Sequence, residues 1–406
     1  MMLTVAQAFE HLLATVAPCE LSEVPLEHSL GLCLGRDVTS PCDSPPFDKS
    51  AMDGYAVRSG DLANGSAVLR VVEVITAGRV PSRTIATGEA AQIMTGAPLP
   101  TGADLVIKVE ETQRNGDLVL IATEHGKAES NVIRRGTSVQ KGDRVLSAGL
   151  TLNGSRIGAL AELGQSTVLV RRRPRVAILA TGDDLVPVGD VPGPGQIRNS
   201  NAVMLAAQIE SAGGIVISLG IARDDRDDLF TKIQQGLQSD LFVLSGGVSA
   251  GTLDLIPSLL QEAGVKEVFH KVEMKPGKPI WFGIRAPVPQ TDSKICLVFG
   301  LPGNPVGSLV CCELFVRTAI RGFMGIEPAT PQSISAILEH EHTTYLDRPI
   351  YHPATLVWRD QQPMVSLVKW HGSADLCGTV AANAMVLLPS KARCYQVGDR
   401  VETLLW

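Results

Sequence analysis

The sequence predicts a multidomain α/β and β protein, with a central three-layer α/β domain, a β-rich insertion before it and a small C-terminal β-barrel. Three observations carry this reading. Between residues 176 and 310, five short apolar runs each lead directly into a loop rich in glycine, proline or acid. Short apolar runs alternating with helical periodicity mark a parallel sheet with helices on its faces. Residues 41–146 instead hold strand-like runs cut by Gly, Pro, Asn and Asp, and residues 333–406 alternate apolar with polar. At 406 residues the chain exceeds one ordinary core.

The elements follow in order. Thr4-Val5-Ala6-Gln7 fits a capping box, and Val5, Phe9, Leu12, Leu13 and Val16 then form one apolar helix face. A second helix fits residues 153–163, closed by Gly164, where a left-handed cap wants glycine. These helices are expected to pack together as a split domain of residues 1–40 plus 147–175. Runs at 68–75, 103–109 and 118–121 build the insertion, 41–146.

In the α/β domain, 176–326, Asn199-Ser200-Asn201 caps a helix through Ser211. Asp225 or Asp227 caps one through Leu237, and Thr252 one through Ala263. Pro328 and Pro331 mark a linker into the last domain, 327–406. Its runs at 350–358, 364–368, 385–388 and 401–405 suit a small barrel.

Composition excludes several classes. A net charge of −6 argues against nucleic acid as partner. The one dense basic cluster, Arg171-Arg172-Arg173-Pro174-Arg175, reads as a solvated connector at a domain junction. No stretch is long and apolar enough to span a bilayer, and the run at 306–320 is broken by Glu313 and Arg317. The eight cysteines form no Cys-x-x-Cys pair, which is core usage in a reducing compartment rather than a disulfide frame or zinc site. With no signal-peptide pattern at the N-terminus, a cytoplasmic protein without membrane partners is expected.

Loops at the carboxyl ends of parallel strands converge on one crevice. Ser245-Gly246-Gly247-Val248-Ser249-Ala250-Gly251 follows a strand, and its glycines let backbone amides approach an anion. It is neither Gly-x-Gly-x-x-Gly nor a P-loop, so neither a dinucleotide dehydrogenase nor an ordinary ATPase is indicated. Lys275 and Lys278 flank a Pro-Gly turn and could meet one diphosphate. Pro302, Asn304 and Pro305 form a rigid turn able to wall a pocket. Thr181 precedes Asp183 and Asp184, and Asp224, Asp225 and Asp254 add carboxylates from two further loops. Near a phosphate site such acids suggest Mg²⁺, although capping is the commoner role for any single Asp.

The motif Pro46-Phe47-Asp48-Lys49-Ser50-Ala51-Met52-Asp53-Gly54-Tyr55-Ala56-Val57, with residues 93–98, Thr181-Gly182-Asp183, residues 245–249, 275–279 and 301–305, resembles the molybdopterin molybdenumtransferase family, MoeA, itself similar to the E domain of gephyrin. The resemblance covers nearly the whole chain. It implies insertion of molybdate into the dithiolene of adenylylated molybdopterin, with release of AMP, in a cleft shared across a homodimer. It also implies roles. Ser245, Gly246, Gly247 and Ser249 would hold phosphate, and Lys275 and Lys278 would neutralise the diphosphate. Asp225 and Asp254 would place Mg²⁺. Asp53 of the partner subunit would orient molybdate or water, and Thr95, Arg134, Arg135 and Ser373 would line the cleft.

Molybdoenzymes and other cofactor-pathway proteins are further candidate partners. Two departures stand out: Ser138 occupies a position where the family has an acid, and Asp184 stands where it has Glu. Tungstate in place of molybdate, and a pterin-binding scaffold without catalysis, are the alternative readings.

Overall fold

The computed structural model describes residues 2–63, 65–123, 127–247, 255–287, 294–344, 348–390 and 393–406. It comprises two compact units, Met1–Gly35 with Gly149–Asn153 and Val168–Trp406, and Arg36–Ala148 with Gly154–Thr167. Among the described residues no helix is long and apolar enough to cross a membrane.

The first unit is organised by a six-stranded sheet. Its order is Ile215–Ala222, Arg175–Thr181, Leu241–Ser245, Cys296–Leu301, Trp281–Arg285, Val265–His270. The first four strands are parallel. Trp281–Arg285 runs antiparallel to both neighbours, so the sheet is mixed rather than wholly parallel as the sequence suggested. The connection from His270 to Trp281 is too short for a crossover helix, which leaves a hairpin as the available link. Because Val265–His270 is thereby parallel to Cys296–Leu301, the Lys275–Lys278 loop still emerges at the carboxyl end.

Leu241–Ser245 and Cys296–Leu301 are buried at every position, as strands covered on both faces must be. Ala177, Leu179, Phe242, Leu244 and Val298 pack with Leu229, Ile233, Leu259 and Leu260 from the helices Arg226–Gly236 and Ile256–Glu262. The alternate face of Arg175–Thr181 meets the helix Ser200–Ser211, and a Cβ at Gly214 would fall 2.8 Å from Ile209 Cγ2 and 3.1 Å from Val176 Cγ2. Gln208 Nε2 ties that helix to the one starting at Pro305, donating to Leu309 O at 3.1 Å and Glu313 Oε1 at 2.8 Å. Glu313 also pairs with Arg317 at 2.8 Å.

The helix Val5–Leu13 has both halves of its capping box. Its apolar face goes to this unit: Phe9 meets Phe315 at 5.2 Å, and Cys19 N donates to Phe323 O at 2.7 Å. The helix Gly154–Glu162 falls in the second unit. A closed barrel of Ser333–Leu338, Gln362–Leu367, Ile350–Arg359, Ala384–Leu388 and Arg400–Leu405 ends the chain. Inward Ala336, Leu338, Ala354, Val365 and Val386 fill it.

The second unit is built on a six-stranded sheet of Leu105–Lys108, Gly54–Val57, Glu89–Ile93, Ser66–Ile75, Leu118–Ala122 and Thr112–Asn115. Tyr55, Val57, Leu69, Leu105, Ile107 and Val119 form its principal core. A Cβ at Gly54 would fall 1.8 Å from Ile107 O, so the motif's glycine is set by strand approach.

Candidate active site

Parallel register sets the pocket. Ala180 pairs with Ser245 and Ser245 with Leu301, so Thr181, Gly246 and Pro302 leave their strands at one level. Gly246 and Gly247 adopt φ of 96° and 61°, a region open mainly to glycine. Added Cβ atoms there would meet Thr181 O at 2.8 Å and Ile256 Cδ1 at 2.4 Å. The chain can turn tightly past Thr181 only without side chains.

Beside this turn lies a pocket of about 460 Å³ lined by Thr181, Asp184, Asn201, Ser245, Gly246, Gly303, Asn304 and Pro305. Its size falls in the range of small-molecule sites, roughly 300–1,000 Å³. Asn201 Nδ2 donates to Ser245 Oγ at 2.9 Å and Gly303 O at 2.8 Å, joining the glycine turn to the proline turn. Its Oδ1 is buried without a partner among the described residues. The sequence showed Asn201 only as part of a helix cap; the signal it gave was its place directly after Ser200 at the mouth of the same strand end.

Pro305 opens its helix, and Asn304 at the cap makes no side-chain capping bond. Ser373 reaches this turn through its carbonyl, which accepts from Val306 N at 2.9 Å, and Ala374 lines the pocket. The lysine loop packs on the same helix: a Cβ at Gly307 would lie 3.7 Å from Gly277 N, and one at Gly277 would collide with Cys311 Sγ. Lys275 is exposed and Lys278 half-buried, and neither forms an ion pair among the described residues.

Lys275 also borders a second cavity, about 780 Å³, with His342, His352, Trp370 and His371. Trp370 Nε1 donates to His352 Nε2 at 2.9 Å, which leaves the proton on Nδ1, 2.8 Å from Pro353 O. Burial pushes the His352 pKa down to about 4.

The acids divide. Asp183 Oδ1 accepts from Asp224 N at 3.2 Å, bringing those two loops together. Asp183 lines a neighbouring cavity of about 760 Å³ with Arg223. Asp225 is the cap of Arg226–Gly236, its Oδ1 accepting from Asp227 N at 3.1 Å and Asp228 N at 3.0 Å. That leaves at most its second oxygen for a cation. Among the described residues no three His, Cys, Asp or Glu are grouped to hold a metal. The oxygen donors nonetheless suit Mg²⁺ if substrate phosphates and water complete its shell. Ser249, Thr252 and Asp254 lie outside the described residues.

In the second unit, Asp53 Oδ1 accepts from Thr95 N at 2.7 Å and Thr95 Oγ1 at 2.8 Å. These bonds hold the exposed carboxyl below its usual range. Arg134 pairs with Asp48 at 2.6 Å and Glu129 at 3.0 Å, and Arg135 with Asp43 at 2.5 Å. Asp48 Oδ1 also accepts from Arg135 N at 2.8 Å. Asp48 is thus the anchor of the arginine loop, a role the motif did not reveal. Exposed Ser138 is held through its backbone, N donating to Ser44 O at 2.9 Å.

Two family models match the chain: the MoeA N-terminal region (domain I and II) over residues 3–164, and a probable molybdopterin binding domain over 177–322. A molybdopterin molybdenumtransferase of Staphylococcus aureus (strain Mu50) is 35% identical over 392 residues, covering 94% of this chain and 90% of the relative. The chain belongs to the molybdopterin molybdenumtransferase family, MoeA. The Bacillus subtilis (strain 168) enzyme of the same name is 34% identical over 400 residues, covering 95% and 90%. A crystal structure of the molybdopterin biosynthesis MoeA protein from Pyrococcus horikoshii matches with a TM-score of 0.82 at 30% identity, covering 100% of this chain and 99% of that one.

Membership of the MoeA family makes the chain a transferase of molybdenum cofactor biosynthesis. Of the residues singled out from sequence, Thr181, Asp184, Ser245, Gly246, Asn304 and Pro305 share one pocket, with Pro302, Gly247 and Ser373 against it. Asp53 and Thr95 form a pair of their own, and Arg134 and Arg135 are tied to carboxylates rather than left open.

Proposed function

We propose that the chain takes adenylylated molybdopterin and molybdate, inserts the molybdenum into the dithiolene and releases AMP. The observation that most supports this is the convergence of Thr181, Ser245, Gly246, Asn201 and Asn304 on one pocket, with Lys275 and Lys278, which form no ion pair among the described residues, in the loop packed on the Pro305 helix. Ser245, Gly246, Gly247 and Ser249 would hold phosphate on the pterin side, and Pro302 and Pro305 shape the wall. Lys275 and Lys278 neutralise the diphosphate, which matters most as charge builds on the departing phosphate. Hydrolysis breaks the bond between the two phosphates, water supplying oxygen to one phosphorus and the proton leaving to solvent.

Mg²⁺ would be held mainly by diphosphate oxygens and water, with Asp225 and Asp254 giving single oxygens, and when bound it supplies Lewis-acid stabilisation. Asp53, ionised and fixed by Thr95, orients molybdate or water. In our reading a second copy of the chain contributes Asp53 and Thr95, so the working form is a homodimer. The setting is the cytoplasm, with molybdoenzymes or other cofactor-pathway proteins taking the product.

The test is AMP release from adenylylated molybdopterin with Mg²⁺, with and without molybdate. Release that depends on molybdate and is lost in Asp53→Asn supports the reading; Asp53→Asn with full release removes the role given to that residue. One observation favours a second reading. Ser138 supplies no carboxylate where the family resemblance implies one, as in a scaffold that binds the pterin without turning it over. Tight pterin binding without AMP would select that reading, and Ser138→Asp would then restore release.

A further inference from the structure

The carboxyl ends of the parallel strands carry the pocket just described; their amino ends frame another. Arg175 and Ile215 begin two strands, Asp240 precedes a third, and Lys294 lies just before the fourth. All four line one pocket of about 510 Å³. The paired strands Leu21–Pro25 and Thr167–Arg171 supply Val24 and Val170 to an apolar floor completed by Leu32 and Leu237. An apolar floor of this volume with a few convergent polar groups is the usual form of a small-molecule site.

The charges around it are unequal. Arg172 gives both Nη atoms to Asp240 at 2.7 Å, and its Nε lies 2.8 Å from Glu20, which also takes Lys294 Nζ at 2.7 Å. Those bonds, from Arg172 first, hold Glu20 down to about 2. Arg173 and Arg175 are different. Neither side chain meets a carboxylate among the described residues, and Arg173 makes one long contact to Leu30 O at 3.4 Å. Arg173 and Arg175 line the same pocket as that apolar floor, and guanidiniums without a carboxylate partner are donors matched to a phosphate, which Arg binds through paired N–H groups.

We propose that this pocket is a second ligand site, which takes an organic phosphate monoester with a planar apolar body. Arg173 and Arg175 receive the phosphate and the floor receives the ring. The site lies at the end of the sheet away from the reaction and does not depend on the reaction assigned above. The experiment titrates the full chain with flavin mononucleotide, riboflavin and inorganic phosphate, following flavin fluorescence and, for phosphate, competition.

Saturable binding of the mononucleotide is expected, with riboflavin and phosphate each weaker by about tenfold or more, a difference of about 1.4 kcal/mol. Arg173→Ala with Arg175→Ala should weaken it by a similar factor. Ile215→Trp, which fills the pocket from an exposed position and leaves the arginines in place, should abolish it. Lys275→Ala with Lys278→Ala should leave it unchanged. No saturable binding at millimolar flavin mononucleotide would overturn the proposal. So would loss in the lysine variant with retention in the arginine variant, which would put the flavin in the substrate pocket.

Discussion

Around the sheet pocket, Lys275 and Lys278 have no carboxylate partner among the described residues and Asn201 Oδ1 is buried without a donor; in the second unit, Arg134, Arg135 and Asp53 each have a partner within the fold. The first arrangement leaves charge and hydrogen-bonding capacity for a ligand to complete. The second fixes side chains before any ligand arrives, so its contribution is geometry. Preorganised groups need no rearrangement as charge develops, while open ones leave charge for a ligand to meet, and the proposed reaction has use for each.

The contrast can be broken at several points. The largest effect is expected from Lys275→Ala with Lys278→Ala. AMP release should fall by about a hundredfold or more, with the thermal midpoint unchanged, since neither ammonium is in an ion pair among the described residues. Single-turnover assays decide this, and a loss below fivefold would deny the lysines their role.

Gly54→Ala probes the rigid side. A Cβ 1.8 Å from a carbonyl oxygen forces two paired strands apart, and a loss of about 3 kcal/mol or more is expected. Urea titration of the variant measures it; a near-neutral result would mean the strands do not pair as described.

A pH effect comes next. Burial holds His352 neutral, its pKa near 4 against an ordinary 6.5. Below 6.5 the unfolded chain takes up this proton and the folded chain does not. The stability is therefore full above 6.5 and is lost as pH falls toward 4, on the order of 3 kcal/mol in all. Stability measured across that window should fall for the wild type, and His352→Gln should flatten this part of the curve.

The smallest effect is expected from Asn201→Ala. It removes the link between Ser245 and Gly303 but also an unsatisfied acceptor, so it should cost about 1 kcal/mol. A loss above about 3 kcal/mol would show that Oδ1 has a partner in the fold.

Much of the α/β end was legible because parallel strands place their exit loops together whatever their separation in the chain. Thr181, Ser245 and Asn304 could be assigned to one crevice from strand and loop order alone. The antiparallel strand Trp281–Arg285 was not legible, since its apolar residues fit either direction and only the short connection to His270 decides between them. Asn201 escaped because capping and bridging use the same residue type. The pairing of Arg134 and Arg135 with Asp48 and Asp43 escaped for another reason: the partners lie about ninety positions apart, and no local pattern encodes them. Asp225 shows the converse, a residue for which cap and metal ligand were both open and whose Oδ1 serves the cap.

The central claim is that the fixed Asp53–Thr95 pair of one copy completes the open lysine-bearing pocket of another. Mixing the Asp53→Asn protein with the Lys275→Ala/Lys278→Ala protein, each inactive alone, tests it through molybdate-dependent AMP release. A two-fold dimer with shared sites restores one intact site in each mixed pair, so activity should recover to about a quarter of the wild-type level. No recovery, with subunit exchange verified, would contradict the account.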